Sequence, residues 1–355
     1  MRDDDPLEQW LFTDQMRGYD KMPAKSYKQT RTVLRRLSAI LDAPVSKKAK
    51  LTDSGISRWS MHVLDPADLS RACDLCRRLM ARGGSGSTFV QEGLLEMIAS
   101  TKDIASIPFW LEILDFNRPR DPFSETRRMY ALAALARIAL RHDVPERYGP
   151  LRTAVRHQNP EVRALAAYYL GRACLEGKNS PPPEVRAELK EIALRDPSFG
   201  PRFQARKVLQ AAGEPAPLDY PRGMFLFKLA LGGGSNYRII AVRSKQTLDD
   251  LHYGIQSAIH WDADHLYSFF MNGKRYDQRY AFACPYEDNP PFTTEATIGN
   301  LGLMLNHKFL YLFDYGDCHE FEVKVVDIRP EAERSEYPCV VESHGKAPEQ
   351  YPRWE

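Results

Sequence analysis

The chain has 355 residues, long for one domain and comfortable for two, and its 43% hydrophobic content excludes a disordered protein. Its 49 basic and 47 acidic side chains leave a formal net charge of +2, which moves any question about nucleic acid from overall charge to local clusters. Six cysteines in so long a chain are not a disulfide-stapled miniprotein. The acidic start "MRDDDPLEQW" is unlike a signal peptide, and no run approaches the ~18–20 apolar residues of a membrane span. The expectation is a cytoplasmic protein with reduced thiols and no membrane contact.

Residues 1–60 read as an N-terminal segment, helical and partly flexible. Within it, "KSYKQTRTVLRRLSAI" (25–40) places Leu34, Leu37 and Leu41 on one helical stripe. The same helix carries Lys25, Lys28, Arg31, Arg35 and Arg36, with "SKKAK" following at 46–50. Such a face either contacts phosphates, with Lys28, Arg31 and Arg35 the candidates, or is simply solvated opposite the nearby "RDDD".

Residues 61–214 keep a helical period. Cys73 and Cys76 fall inside a helix, without the second ligand pair that zinc needs or the βα context of a redox motif, so they read as core or seam residues. "MYALAALARIAL" (129–140), "PEVRALAAYYLGRACL" (160–175) and "PRFQARKVLQAAG" (201–213) share a spacing, as Arg128–Ala131–Leu135, Arg163–Ala166–Leu170 and Arg202–Ala205–Leu209. A small residue lets helices approach and a Leu fills the seam. Recurrence at a period of this length is the mark of stacked helix pairs, and here the sequence resembles HEAT repeats. The fold implied is an all-α solenoid, a scaffold that most often binds proteins.

Three prolines (215, 217 and 221) mark a change of character, and 215–222 reads as a linker. From 223 on, alternation replaces helical spacing. "GMFLFKLAL" (223–231) and "YRIIAVRS" (237–244) are strands around "GGGSN". Because a strand and not a helix follows the glycines, the loop is a hairpin turn and not a phosphate cradle. A helix spans 245–261, with Thr247 as N-cap, Asp249 and Asp250 in its first turn, and Leu248, Leu251, Ile255, Ala258 and Ile259 on its apolar stripe. Strands follow at 265–277 (with a turn at 272–274), 308–316, 318–328 and 337–345. The layout is α+β, a mostly antiparallel sheet with one main helix, similar to a β-grasp.

The stretch "FLYLFDYGDCHEFEVKV" (309–325) concentrates reactive side chains. Strand parity separates them: Phe309, Tyr311 and Phe313 share one face, and after the bend Asp317, His319, Phe321, Val323 and Val325 share a face opposite Cys318, Glu320, Glu322 and Lys324. Asp314 and Asp317 flank Tyr-Gly, where carboxylates accept bonds from turn amides, and Gly316 is expected to supply an unusual φ. The chemical alternative makes Asp314 and Asp317 an acid–base pair with His252. His252 and His260 lie two turns apart on one helix, too far to grip one ion easily, so no metal and no cofactor is expected. His252 reads as a residue at the core edge donating to a backbone carbonyl.

Residues 224–352 resemble the plasmid pRiA4b Orf-three-like family. The resemblance rests on "YRIIAV" (237–242), "TLDDLHYGIQSAIHW" (247–261), "HLYSFF" (265–270), "FLYLFDYGD" (309–317) and "GKAPEQYP" (345–352). The residues at its motif positions are Tyr237, Arg238, His252, His265, Asp314 and Asp317. The family has no established activity, so the resemblance implies a fold and candidate binding positions only. Taken together, the expectation is a non-enzymatic binding or adaptor protein with a protein partner. Nucleic-acid binding is the alternative, and an enzyme using Asp314 and Asp317 a lesser one.

Overall fold

The computed structural model describes residues 26–43, 50–56, 63–83, 87–144, 146–176, 180–232, 235–288, 290–332 and 335–351. The acidic run at 2–5, Lys25, most of 46–50 and residues 352–355 lie outside them. Two compact units divide the chain, Met1–Pro182 and Pro183–Glu355.

The first unit is helical. Its helices are α1 (Tyr27–Asp42), α2 (Leu69–Arg82), α3 (Thr88–Ser100), α4 (Ile107–Asp115), α5 (Ser124–Arg141), α6 (Gly149–Ala154) and α7 (Pro160–Glu176). A capping box starts α1: Gln29 N donates to Ser26 Oγ at 3.4 Å and Ser26 N to Gln29 Oε1 at 2.8 Å. Helix α2 packs on α1 and α3, helices α4 to α7 pack on one another in sequence, and α5 also touches α3 and α7. The small-residue positions explain how α5 sits among them: Ala131, Ala133, Ala134 and Ala136 are buried, as are Ala166 and Leu170 of α7. Cys73 and Cys76 are core residues of α2, and burial raises the Cys73 thiol to about 11.

The second unit opens with the helix pair α8 (Pro183–Arg195) and α9 (Phe199–Ala211), which pack on each other. The strands are β1 (Met224–Ala230), β2 (Tyr237–Arg243), β3 (Tyr267–Phe270), β4 (Ala281–Ala283), β5 (Lys308–Phe313), β6 (His319–Arg329) and β7 (Cys339–His344), with α10 (Leu248–Ile259) between β2 and β3. They form one sheet in the order β4-β3-β5-β6-β1-β2-β7, and its strand pairings are antiparallel. The hairpin pairs Ala230 with Tyr237, and the Thr247–Asp250 capping box starts α10. One strand escapes the sequence pattern: β4 is three residues, too short for alternation to reveal.

The apolar stripe of α10 joins Phe225, Phe227, Ile240, Phe269, Phe309, Tyr311, Phe313 and Val323 in a single core. That core also takes Phe203 of α9, which stacks on Tyr280 with ring centroids 5.2 Å apart. The third copy of the Arg–Ala–Leu spacing therefore helps build the core of the sheet unit. Its anchor is Arg206, only 2% exposed. Nε donates to Ala193 O at 3.0 Å, Nη1 to Pro217 O at 2.9 Å and Gly299 O at 3.1 Å, and Nη2 to Asp219 Oδ1 at 3.0 Å. Arg202 holds the second oxygen of Asp219 at 3.0 Å, so the proline-rich stretch is fastened to α9 at this carboxylate.

Candidate functional site

The β5–β6 connection decides the role of Asp314. Its side chain is 10% exposed, and its Oδ1 accepts from Gly316 N at 2.9 Å and Asp317 N at 3.3 Å. Its own N–H donates to Leu266 O at 2.9 Å, which ties the turn to the residue leading into β3. The carboxylate thus closes the bend, as expected of Asp in a turn. The backbone detail differs from expectation. Gly316 does not have a positive φ; Asp314 (54°) and Cys318 (56°) do. Gly316 serves by its lack of a Cβ, which would meet Asp314 Oδ1 at 3.2 Å. Asp317 is exposed and contributes its amide to the turn.

The other Asp314 oxygen, Oδ2, lies 3.5 Å from His265 Nε2, and that nitrogen is 3.0 Å from Tyr351 Oη. Tyr351 in turn donates to Asp264 Oδ2 at 3.2 Å. A second tie runs beside it: Asp262 N donates to Gln350 Oε1 at 2.8 Å, and Gln350 Nε2 to Asp262 O at 3.0 Å. Trp261 Nε1 donates to Pro348 O at 2.8 Å. The segment 345–351 is therefore an ordered strap across the loop between α10 and β3.

His252 lies on α10, 1% exposed, and is deeper than a core-edge residue. Its partner is a phenol and not a backbone carbonyl, which corrects the expectation: Nδ1 is 2.7 Å from Tyr311 Oη. Gln256 Nε2 also donates to Tyr311 Oη, at 2.7 Å. Both side chains meet at the one phenolic oxygen, and no opposite charge faces the imidazole there, which favours its neutral form. Burial agrees, lowering the His252 pKa to about 3. The ring lies parallel to Tyr267, centroids 3.6 Å apart, and Tyr267 Oη bonds Asp249 and Thr293. None of Tyr311, Tyr267, Gln256 and Asp249 stands out as a site residue in the sequence, where parity only groups Tyr311 with Phe309 and Phe313 and Asp249 is only a first-turn carboxylate.

Arg238 on β2 is buried, 6% exposed. Nε donates to Ala258 O at 3.0 Å, and Nη1 to Tyr237 O at 2.9 Å, His344 O at 3.1 Å and Gly345 O at 3.1 Å. It closes the C-terminal end of α10 and the end of β7 onto β2. Tyr237 beside it stacks on His344 and bonds Glu342. Arg238 also lines a groove of about 640 Å³ whose other walls are residues 259–261 and the strap 346–351. Among the described residues, no group of three or more metal-ligating side chains forms.

In the first unit, Arg31 is held by Asp65 Oδ2 at 2.9 Å and Asp68 Oδ2 at 2.8 Å, while Lys28 and Arg35 are exposed on α1. Arg31 thus joins α1 to the start of α2, so the three basic candidates do not act as one free set. No helix among the described residues is long and apolar enough to cross a membrane.

Residues 227–350 match the family described as plasmid pRiA4b ORF-3-like protein. The match covers the sheet and strap but stops short of the helical unit. A crystal structure of a protein of unknown function from Methanosarcina mazei Go1 is 26% identical over 34% of this chain and 69% of its own, with a TM-score of 0.29. No curated protein matches. Arg238, His252, His265 and Asp314 all fall inside the ORF-3-like segment.

Proposed function

We propose that this protein is a non-enzymatic cytoplasmic adaptor, a HEAT-like helical scaffold joined to a β-grasp-like ORF-3-like domain, that binds a protein partner. The observation that carries the reading is how the reactive side chains of the matched segment are engaged. Arg238 holds four backbone carbonyls, His252 is a neutral core residue, and Asp314 closes a turn. Acid–base catalysis needs a titrating group within reach of substrate, and these three hold other parts of the chain. The helical unit supports the same reading, since stacked helices offer extended surface for partners.

The test is to isolate proteins with the full chain and rebuild each association from purified components. A saturable isotherm with one protein supports the adaptor. Titration with mixed DNA and RNA at two salt concentrations checks the alternative that Lys28 and Arg35 keep open. A steep loss of affinity with salt would place the chain among phosphate binders and overturn the protein-partner reading.

A further inference from the structure

The groove beside the strap contains a charge that the fold leaves open on one side. Nε and Nη1 of Arg238 meet four carbonyl oxygens, but among the described residues neither a carboxylate nor any other acceptor meets Nη2. Arg238 as a residue is more than nine-tenths buried, and it forms part of the groove wall. A buried guanidinium normally has an anion beside it, because carbonyl dipoles stabilise the charge without neutralising it. Arg presents its remaining N–H groups in a fixed plane, suited to an oxyanion.

We propose that the groove is a binding site for a small oxyanion, a carboxylate or phosphate group, whose oxygen is held by Arg238 Nη2. Three features of the walls fit this occupant. Lys346 at the rim, its side chain 86% exposed, brings a second positive charge. The Trp261 indole is already fixed by Pro348 O, so it forms a rigid wall and not a competing donor. The strap lines the far side through Gln350 and Tyr351. One group lining the groove opposes the anion: Glu349, whose Oε1 lies 3.8 Å from Lys346 Nζ and partly neutralises that lysine. His260 also lines the groove and adds no fixed negative charge. The inference goes beyond the adaptor reading and does not depend on it.

The experiment follows the indole N–H resonance of Trp261 in the full chain, assigned by comparison with Trp261→Phe. Sodium phosphate and sodium acetate are titrated separately, each against sodium chloride at matched ionic strength. A saturable shift with phosphate alone supports the site and identifies a phosphate ligand. A saturable shift with acetate alone supports it and identifies a carboxylate. Lys346→Ala should weaken binding roughly two- to fivefold, the effect of one exposed charge, and Glu349→Gln should tighten it by a similar factor. Arg238→Lys should abolish saturation; where that variant fails to fold, the two rim variants carry the test. A shift no different from chloride, or one indifferent to both rim variants, overturns the proposal.

Discussion

Replacing Asp314 distinguishes structure from chemistry at the β5–β6 turn, and the structure sets the size of each effect. Asp314→Ala loses two bonds from Oδ1, to the amides of Gly316 and Asp317, and leaves alanine at a φ of 54°. Each bond contributes ~0.5–1.5 kcal/mol, and a left-handed alanine costs roughly 1–2 kcal/mol. The sum is about 2–5 kcal/mol. Asp314→Gly loses the bonds but removes the strain, which brings the cost to about 1–3 kcal/mol. Asp314→Asn retains an oxygen for the two amides and tolerates the left-handed region, so it should cost under about 1 kcal/mol. Asp317→Asn should be nearly silent, since that carboxylate is exposed. The assay is urea unfolding of the full chain, followed in the transition that reports the sheet, because two compact units need not unfold together. The order Ala, Gly, Asn is the result to look for. If Asn costs as much as Ala, the charge facing His265 matters and the turn argument is refuted. If all three are silent, Asp314 has no structural role at all.

Three further outcomes follow from the core. Tyr311→Phe removes the hydroxyl shared by His252 and Gln256 and strands both inside the core, at about 2–4 kcal/mol by chemical denaturation. Arg206→Met strands the carbonyls of Ala193 and Pro217, leaves Gly299 O with only the Asp219 amide, and removes one of two side-chain partners of Asp219, so the second unit should lose about 3–5 kcal/mol and α9 its hydrogen-exchange protection. Acid should loosen the sheet unit through His252 and His307, whose burial lowers their pKa values to about 3 and about 4 from an ordinary 6.5. The sign follows from proton counting: below 6.5 the unfolded chain takes up protons that the folded imidazoles refuse, so stability falls as pH drops from 6.5 toward 4. Each histidine contributes up to about 1.4 kcal/mol per pH unit in that window, and a pH series on His252→Gln should show a visibly shallower slope.

Much of the sheet unit was legible because its signals are local. Alternation located β1, β2, β5 and β6, the Thr247–Asp250 box located the start of α10, and parity separated Phe309, Tyr311 and Phe313 from Glu320 and Glu322. What the sequence hid depends on contacts between distant residues. The partner of His252 lies 59 positions away and that of His265 lies 86 away, and no spacing rule joins them. The role of Gly316 was misjudged for a related reason. A glycine in a turn suggests positive φ, but here the left-handed residues are its neighbours at 314 and 318, and the glycine matters for a close approach. The Arg–Ala–Leu spacing fixed helices without fixing their membership: Arg202, Ala205 and Leu209 lie in the unit built on the sheet.

Three of the positions that carry the ORF-3-like resemblance, Arg238, His252 and Asp314, have a common mechanical property. Arg238 joins β2 to the end of α10, the end of β7 and the strap. His252 joins α10 to β5 through Tyr311, and Asp314 joins the β5–β6 turn to the approach of β3 through its amide. Each is a polar link between elements that the hydrophobic core alone would leave free to slide, because Phe and Leu contacts have no direction. A directional bond in a low-dielectric interior selects one register among several of similar packing energy. Motif residues of this kind mark a fold, and a family defined by them can share architecture without sharing a reaction. Arg238 is the exception that points outward, since the same guanidinium that locks three elements also forms a wall of the groove. A function for this domain is therefore best sought at the Arg238 groove and its strap, where a structural lock and an open donor coincide, before the turn at Asp314 or the buried imidazole of His252.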